Sequence, residues 1–209
     1  MGSAFLASDW LQCTAYFGIG HSLYLETTII PWVGDTPLIA YLSYDDDVEI
    51  VNSLLQKGAS VTSKDKNGET PLSLYLRNSD CKLEIVNSLL TYGASVKTQD
   101  KDGDTPLNLY LTINDCKLEI VNTLLNHGAS ATSKDKDGDT PLSLHFRYSD
   151  CNLEIMNSLL SHGASVTSTD KNGETLLRSY LANSNCKSEV VNSLLTHGAS
   201  VTLKDKVIA

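Results

Sequence analysis

The chain has 209 residues, of which 41% are hydrophobic, and its formal net charge is −9 at pH 7. This composition supports a folded core in one domain or one short repeat array. The acidic balance disfavours nucleic acid or an anionic membrane as a partner, because phosphate binding requires clustered Lys and Arg. No apolar stretch approaches the length needed to span a membrane.

Residues 1–31 do not repeat any pattern of the rest of the chain. Asp9 and Gln12 interrupt the apolar run that a secretory signal requires, and Leu6 stands where N-myristoylation requires Ser or Thr. We therefore expect the cytoplasm, or the host cytoplasm if the source is viral, with the nucleus as a second compartment. Two interpretations of this segment stay open: a cap that covers the first repeat through apolar side chains such as Trp10, or a disordered or non-native leader.

Two series of glycines recur along the remainder of the chain. The glycines of the Gly-Ala-Ser series are a constant 35 residues apart, and they are Gly58, Gly93, Gly128, Gly163 and Gly198. The second series has steps of 34, 35, 35 and 35 residues, and it consists of Gly34, Gly68, Gly103, Gly138 and Gly173. Such a period predicts stacked repeats over residues 32–205, with a tail at 206–209. We number the repeats as units one to five, at about 32–65, 66–100, 101–135, 136–170 and 171–205.

Each unit is predicted to form two helices. The first starts at Thr-Pro, because Thr accepts hydrogen bonds as an N-cap and Pro suits the first helical position. The pairs are Thr36-Pro37, Thr70-Pro71, Thr105-Pro106 and Thr140-Pro141, and unit five has Thr175-Leu176. The second helix has apolar residues at helical spacing and ends at the glycine of Gly-Ala-Ser. Its expected N-caps are Asp47, Asp80, Asp115 and Asp150.

The T-P-L start, the Leu-Glu-Ile-Val-x-x-Leu-Leu helix and the Gly-Ala ending are those of the ankyrin repeat. Residues 33–205 resemble that family. The resemblance implies an all-α solenoid of about five 35-residue helix-turn-helix units with β-turn fingers projecting at right angles. It also implies a concave surface, formed by the finger tips and the first helices, that docks protein partners.

Three features depart from the usual repeat. The histidine of T-P-L-H is replaced by Ile39, Ser73, Asn108, Ser143 and Arg178. The small Ala-Ala pair becomes Tyr-Leu in four units and His145-Phe146 in unit four, and the link between helices is two residues longer. The long links and T-P-L-x-x-Tyr-Leu are similar to the ankyrin proteins of poxviruses. Many of those add a C-terminal F-box-like segment that recruits a ubiquitin ligase, and no such stretch follows unit five here.

Two columns of residues invite a metal or redox interpretation. They are Cys81, Cys116, Cys151 and Cys186, and His127, His162 and His197. Packed helices lie about 8–10 Å apart, which is too far for neighbouring column members to form a disulfide or share a metal ion. We interpret both columns as structural, with the histidines stabilising helix C-termini. Because no catalytic motif is present either, we expect no catalytic residue, no metal and no cofactor.

The predicted function is therefore non-catalytic protein binding by a monomer, on the concave face, with a host protein as partner if the source is viral. The last turn of the first helix varies most between units, and in the ankyrin family it faces the groove beside the fingers. The predicted partner-binding residues are Tyr44, Lys66, Asn67, Glu69, Arg77, Asn78, Asp102, Asp104, Ile113, Asp137, Asp139, Arg147 and Tyr148. We expect Arg77, Ile113, Arg147 and Tyr148 at the centre, because the isoleucine and tyrosine have no evident core role. The finger aspartates are expected to be solvated, giving an acidic rim that favours a basic partner.

Two alternatives stay open. The variable positions can reflect neutral drift on a solvated ridge. The chain can also be a fragment of a longer ankyrin protein without an independent function, because Val207-Ile208 replaces the turn pair Asn-Gly in a sixth finger.

Overall fold

The computed structural model describes residues 35–148, 151–170, 172–182 and 186–202. Within these ranges the chain forms ten α-helices and no strand, which confirms the predicted all-α repeat solenoid. The helices are α1 (Pro37–Leu42), α2 (Val48–Gln56), α3 (Pro71–Tyr75), α4 (Leu83–Thr91), α5 (Pro106–Leu111), α6 (Leu118–Asn126), α7 (Pro141–Tyr148), α8 (Leu153–Ser161), α9 (Leu176–Leu181) and α10 (Ser188–Thr196). The predicted cap at 1–31 and the tail at 206–209 lie outside the described residues.

The first helix of each unit begins as predicted. The hydroxyl of Thr36, Thr70, Thr105 or Thr175 accepts a hydrogen bond from the backbone N–H three residues later. Thr140 does the same for Ser143 at 3.3 Å. The second helix ends two residues before a glycine with a left-handed φ, as at Gly93, where φ is 91°. These local signals fix where each helix starts and stops.

The predicted aspartate caps of the second helices are only partly correct. Asp47 caps α2, and its carboxylate accepts hydrogen bonds from Glu49 N and Ile50 N at 2.8 and 3.1 Å. Asp80 and Asp115 were the wrong candidates, because the cap positions of α4 and α6 are Lys82 and Lys117. Neither lysine makes a side-chain cap hydrogen bond. Asp150 was also the wrong candidate, because the cap of α8 is Asn152, whose Oδ1 accepts hydrogen bonds from Glu154 N and Ile155 N at 2.8 and 3.4 Å.

At these two cap positions, a tyrosine hydroxyl accepts the hydrogen bond of the lysine backbone N–H. Tyr75 Oη accepts a hydrogen bond from Lys82 N at 2.9 Å, and Tyr110 Oη accepts one from Lys117 N at 2.8 Å. In unit four the ring nitrogen Nε2 of His145 accepts from the backbone N–H of Asn152 at 3.0 Å. The replacement of Ala-Ala by Tyr-Leu therefore matches the longer inter-helix link, because the large polar ring reaches across it.

Neighbouring units stack through both layers of helices. The first helices α1, α3, α5, α7 and α9 pack in series, and the second helices α2, α4, α6 and α8 form a parallel series behind them. One continuous apolar cluster runs from Leu38 to Ala199. No helix in the described ranges combines the length and the apolar character needed to cross a membrane.

The fingers stack by backbone hydrogen bonds. Lys101 N donates to Asn67 O, and Lys136 N donates to Asp102 O, both at 3.0 Å. A Cβ added at Gly103 would lie 3.1 Å from Lys136 N, and the glycine has a φ of 82°. Glycine is thus required at this turn both by its backbone conformation and by the close approach of the next finger.

The last described unit presents apolar side chains that its predecessors bury. Leu181 is 54% exposed, whereas Leu76 and Leu111 at the same repeat position are fully buried. Val201 is 75% exposed, while Val96 is 5% exposed. Since a unit buries these positions against the unit that follows it, unit five gains less from stacking.

We predict that Tyr110→Phe lowers the free energy of unfolding by about 1–2 kcal/mol, because Lys117 N–H loses its acceptor. Tyr92→Phe is the matched control, since the Tyr92 side chain is 45% exposed, and it should change stability by less than about 0.5 kcal/mol. Urea unfolding of both variants measures the difference. Equal stability of the two variants would contradict the capping role of the tyrosine.

We also predict that α9 and α10 exchange their amide hydrogens faster than α5 and α6, because repeat arrays open locally from poorly stacked ends. Hydrogen–deuterium exchange followed by mass spectrometry makes the comparison within one protein. Equal protection of the two helix pairs would show that the apolar face of unit five is covered in solution.

Candidate functional site

The fingers have a fixed backbone and outward-facing tips. Asp65 Oδ1 accepts hydrogen bonds from Asn67 N and Glu69 N, both at 2.8 Å, which closes the turn. Asp100, Asp135 and Asp170 close the other fingers in the same way. We call the surface formed by residues 65–69, 100–104 and 135–139, together with the ends of the first helices at residues 77–78, 112–113 and 147–148, the finger face.

The structure exposes most of the predicted partner-binding residues. Those with exposed side chains are Tyr44, Lys66, Asn67, Arg77, Asn78, Asp102, Asp137, Arg147 and Tyr148. Asp104 and Ile113 are half-buried, and Glu69 and Asp139 are buried. The expectation that the finger aspartates are solvated is therefore wrong for Asp139, which is 1% exposed. All but Tyr44 belong to the finger face.

The two buried acids are held by arginines from the first helices. Arg77 forms a hydrogen-bonded ion pair with Glu69 and lies 3.6 Å from Asp100 of the next finger. The pKa of Glu69 is raised by burial, although Arg77 opposes the shift. Each such arginine therefore connects a helix to its own finger and to the following one.

Unit four repeats this arrangement. Arg147 pairs with Asp139 and lies 3.8 Å from Asp170. Part of each arginine is accessible, since the side chains of Arg77 and Arg147 are 52% and 34% exposed. Sequence reasoning missed this structural role, although both arginines follow an acid by eight residues, which is a signal in the sequence.

Unit three has no such arginine, because Thr112 occupies the equivalent position. Its finger acid Asp104 forms no ion pair with any described residue. The pKa of the Asp104 carboxyl is raised to about 6, chiefly by burial and then by the Asp100 and Asp135 carboxylates, while Asn108 and Arg77 lower it. The acidic charge of this finger is thus balanced less well than that of its neighbours.

The residue that follows the arginine position also varies between units. It is Tyr44, Asn78, Ile113 or Tyr148 in units one to four. Tyr44 and Tyr148 are 70% and 48% exposed. Ile113 is partly buried and packs against the core, so the expectation that it has no core role is wrong. The two tyrosines are the large apolar groups that this column offers to a partner.

The cysteine column is built into the inter-helix links. The thiol of Cys81 donates to Tyr75 O and Asn78 O at 3.1 and 2.9 Å, and Cys116 donates to the equivalent carbonyls. Burial raises the pKa of the Cys81 and Cys116 thiols to about 12 and about 11, which disfavours the reactive thiolate. These side chains therefore stabilise the link.

The histidine column closes the second helices. His127 Nδ1 lies 2.8 Å from Thr123 O, and the rings of His162 and His197 make the same contact with Ser158 O and Ser193 O. Each of these carbonyls belongs to the last turn and also accepts the backbone N–H of the same histidine. Among the described residues, no group of three His, Cys, Asp or Glu side chains is placed to hold a metal ion.

Comparison with known families gives a match over most of the chain. The family model described as ankyrin repeats (3 copies) matches residues 38–135, 74–170 and 109–205. No curated protein matches the chain. The three overlapping matches extend from the second residue of α1 to beyond the end of α10.

We predict a pH dependence that originates at Asp104. Because its folded pKa of about 6 lies above the ordinary value for Asp, the unfolded state binds fewer protons between about pH 4 and 6. This carboxyl therefore lowers the free energy of unfolding as the pH rises through that range. Asp104→Asn should be more stable than the wild type at pH 7 by about 1 kcal/mol, allowing for partial exposure, and by less at pH 4.5.

Urea unfolding of both proteins at the two pH values tests this. His145, whose pKa burial lowers to about 4, contributes the opposite slope to both proteins and cancels in the difference. A stability difference that is the same at pH 4.5 and 7 would contradict the assignment.

Proposed function

Because the chain belongs to the ankyrin-repeat family, whose members are generally protein–protein interaction modules, we propose that it is a non-catalytic scaffold that binds a protein partner. The binding surface is the concave side, which corresponds to the finger face. The partner is recognised in the cytoplasm, and the binding unit is a monomer. If the source is viral, the partner is a host protein.

One observation carries this proposal: the exposed side chains at the end of the first helix differ between units, whereas the residues that cap and stack the helices recur. The threonine caps, the tyrosine or histidine acceptors and the core leucines recur because stacking requires them. In contrast, Tyr44, Asn78 and Tyr148 share one position, and Tyr44 and Tyr148 are largely exposed. Exposed side chains that differ between units, on helices whose capping and stacking residues recur, support recognition of a specific partner.

The chemistry of this surface supports a protein as the ligand. Tyr and Arg are enriched among the residues that dominate protein interfaces. Arg147 and Tyr148 are adjacent, and Arg77 lies two units away at the same position. We propose that these three residues form the centre, and that the finger tips Lys66, Asn67, Asp102 and Asp137 form the rim.

We predict that Tyr148→Ala weakens partner binding by roughly 30-fold, the effect of an interface hot spot of about 2 kcal/mol. The immobilised protein is incubated with a cell lysate, and captured proteins are quantified by mass spectrometry for the wild type and each variant. Tyr92→Ala is the matched control, because Tyr92 is 45% exposed but lies at the end of α4, away from the finger face.

Thermal melts of both variants show whether they fold like the wild type. The proposal expects a captured protein that Tyr148→Ala loses and Tyr92→Ala retains. If the two variants captured the same proteins in the same amounts as the wild type, the finger face would not be the binding surface.

A further inference from the structure

In units two and four, the arginine at the end of the first helix is part of a repeated ion-pair arrangement. Units one, three and five lack it, because Ser43, Thr112 and Ala182 stand at the equivalent position. In units two and four an arginine lies between the acid of its own finger and the aspartate that closes the next finger. The equivalent acids in unit three are Asp104 and Asp135, and the equivalent side chain is Thr112. Unit three therefore has the two carboxylates but not the guanidinium.

Among the described residues, these two carboxylates have no cationic partner. Neither Asp104 nor Asp135 forms an ion pair within the part of the chain that the structure describes, although Asp135 Oδ1 closes its own finger. Arg77, the nearest arginine towards unit two, is already bound to Glu69 and Asp100. Burial raises the pKa of both Asp104 and Asp135, so both carboxylates lie where an added positive charge would be stabilised.

A buried amide beside these acids is also unsatisfied. Asn108 is fully buried, and its Oδ1 accepts a hydrogen bond from Thr105 Oγ1 at 2.9 Å, which leaves Nδ2 as the free donor. Nδ2 is the one buried side-chain polar atom of the described residues without a hydrogen-bond partner. The Asn108 side chain lies beside Asp104, since the amide lowers the pKa of this carboxyl. An ionised Asp104 is the acceptor that this donor requires.

The position is accessible from the finger face. Thr112 is exposed, and its hydroxyl donates to Leu109 O at 2.7 Å, so it does not compete for the carboxylates. Asp104 and Asp135 are each half-buried. A side chain that enters above Thr112 reaches the place that the guanidinium occupies in units two and four.

We propose that Asp104 and Asp135 bind the guanidinium group of an arginine from the partner protein, which completes in unit three the ion-pair arrangement that the chain forms for itself in units two and four. This inference rests on the proposed function and specifies the chemistry of the partner. We call the site the unit-three notch, formed by Asp104, Asn108, Thr112 and Asp135.

Arginine fits the unit-three notch better than other cations. A planar guanidinium has several donors in fixed directions and can bridge two carboxylates, whereas an ammonium is a single compact charge. The notch also lacks a third carboxylate or imidazole placed to complete a metal site among the described residues. In units two and four, where such a pair of acids is bridged within the chain, the bridging side chain is an arginine.

The probe for the test is Nα-acetyl-arginine methylamide, titrated into the isotopically labelled full-length chain and followed by NMR. The control ligand is the citrulline analogue, which has the same shape without the charge. We expect saturable shifts at the Asn108 side-chain amide and at the backbone of residues 103–113, with a dissociation constant on the order of millimolar. The citrulline analogue should give shifts at least tenfold smaller at the same concentration, and added salt should weaken the arginine effect.

Two variants locate the binding. Thr112→Arg supplies the missing arginine from within the chain, so it should raise the melting temperature and abolish binding of the probe. Asp104→Asn removes one carboxylate and should weaken the probe at least tenfold. Thr91→Arg, which adds the same charge at an exposed position at the end of α4, should bind the probe like the wild type.

The outcomes separate this inference from the proposed function. Equal shifts with the arginine and citrulline probes, equal affinity for a lysine analogue, or unchanged binding to Thr112→Arg would overturn the arginine site. If Thr112→Arg still captured the protein that Tyr148→Ala loses, the notch would be wrong while the finger face remained the binding surface. If the probe bound the notch but no protein were captured, the notch would stand and the proposed function would fail.

Discussion

The structure depends on the fact that no unit can bury its own apolar surface. Leu76, Leu111 and Leu181 occupy one repeat position, yet the first two are fully buried and the third is 54% exposed. The difference arises from the neighbour and not from the residue. Each unit is therefore stabilised by the next, and the contacts between neighbouring units determine how rigid the array is. Apolar contact alone does not fix the relative positions of the units. Polar contacts between neighbouring units fix them.

Those polar contacts lie in two places. In the links, the tyrosine hydroxyl or histidine nitrogen holds the start of the second helix, and Lys117 Nζ reaches Cys81 O of the preceding unit at 2.9 Å. At the fingers, backbone hydrogen bonds and the bridging arginines connect one turn to the next. The fingers of the finger face are therefore positioned by contacts with the first helices and by contacts with the adjacent fingers. Its exposed side chains are presented in fixed positions, which reduces the ordering cost of binding.

Much of this architecture follows from local sequence. Thr70 and Gly93 act within a few residues of their positions, so their roles could be predicted without knowing the fold. The cap at Lys82 could not, because its acceptor is Tyr75 Oη, which reaches the amide only after the link has folded back. Ile113 was misjudged for a similar reason: a polar or aromatic residue stands at the same position in other units, and only packing shows that the isoleucine turns inward.

The candidate site was predictable in outline but not in its electrostatics. The exposed tips and tyrosines follow from the repeat pattern, whereas Glu69 and Asp139 looked like surface acids until the structure showed them buried beneath arginines. The pattern of an acid followed by an arginine eight residues later is present in units two and four and absent at Thr112. This spacing indicates an ion pair only if the finger lies against the end of the first helix, which a single sequence does not show.

The central claim, that a protein partner binds across the finger face, is tested most directly by a hydrogen–deuterium exchange footprint of the complex with a captured partner. We predict added protection at residues 65–69, 100–104 and 135–139 and at the ends of the first helices, residues 77–78, 112–113 and 147–148. Protection confined to the second helices α4, α6 and α8, with the fingers unchanged, would contradict it.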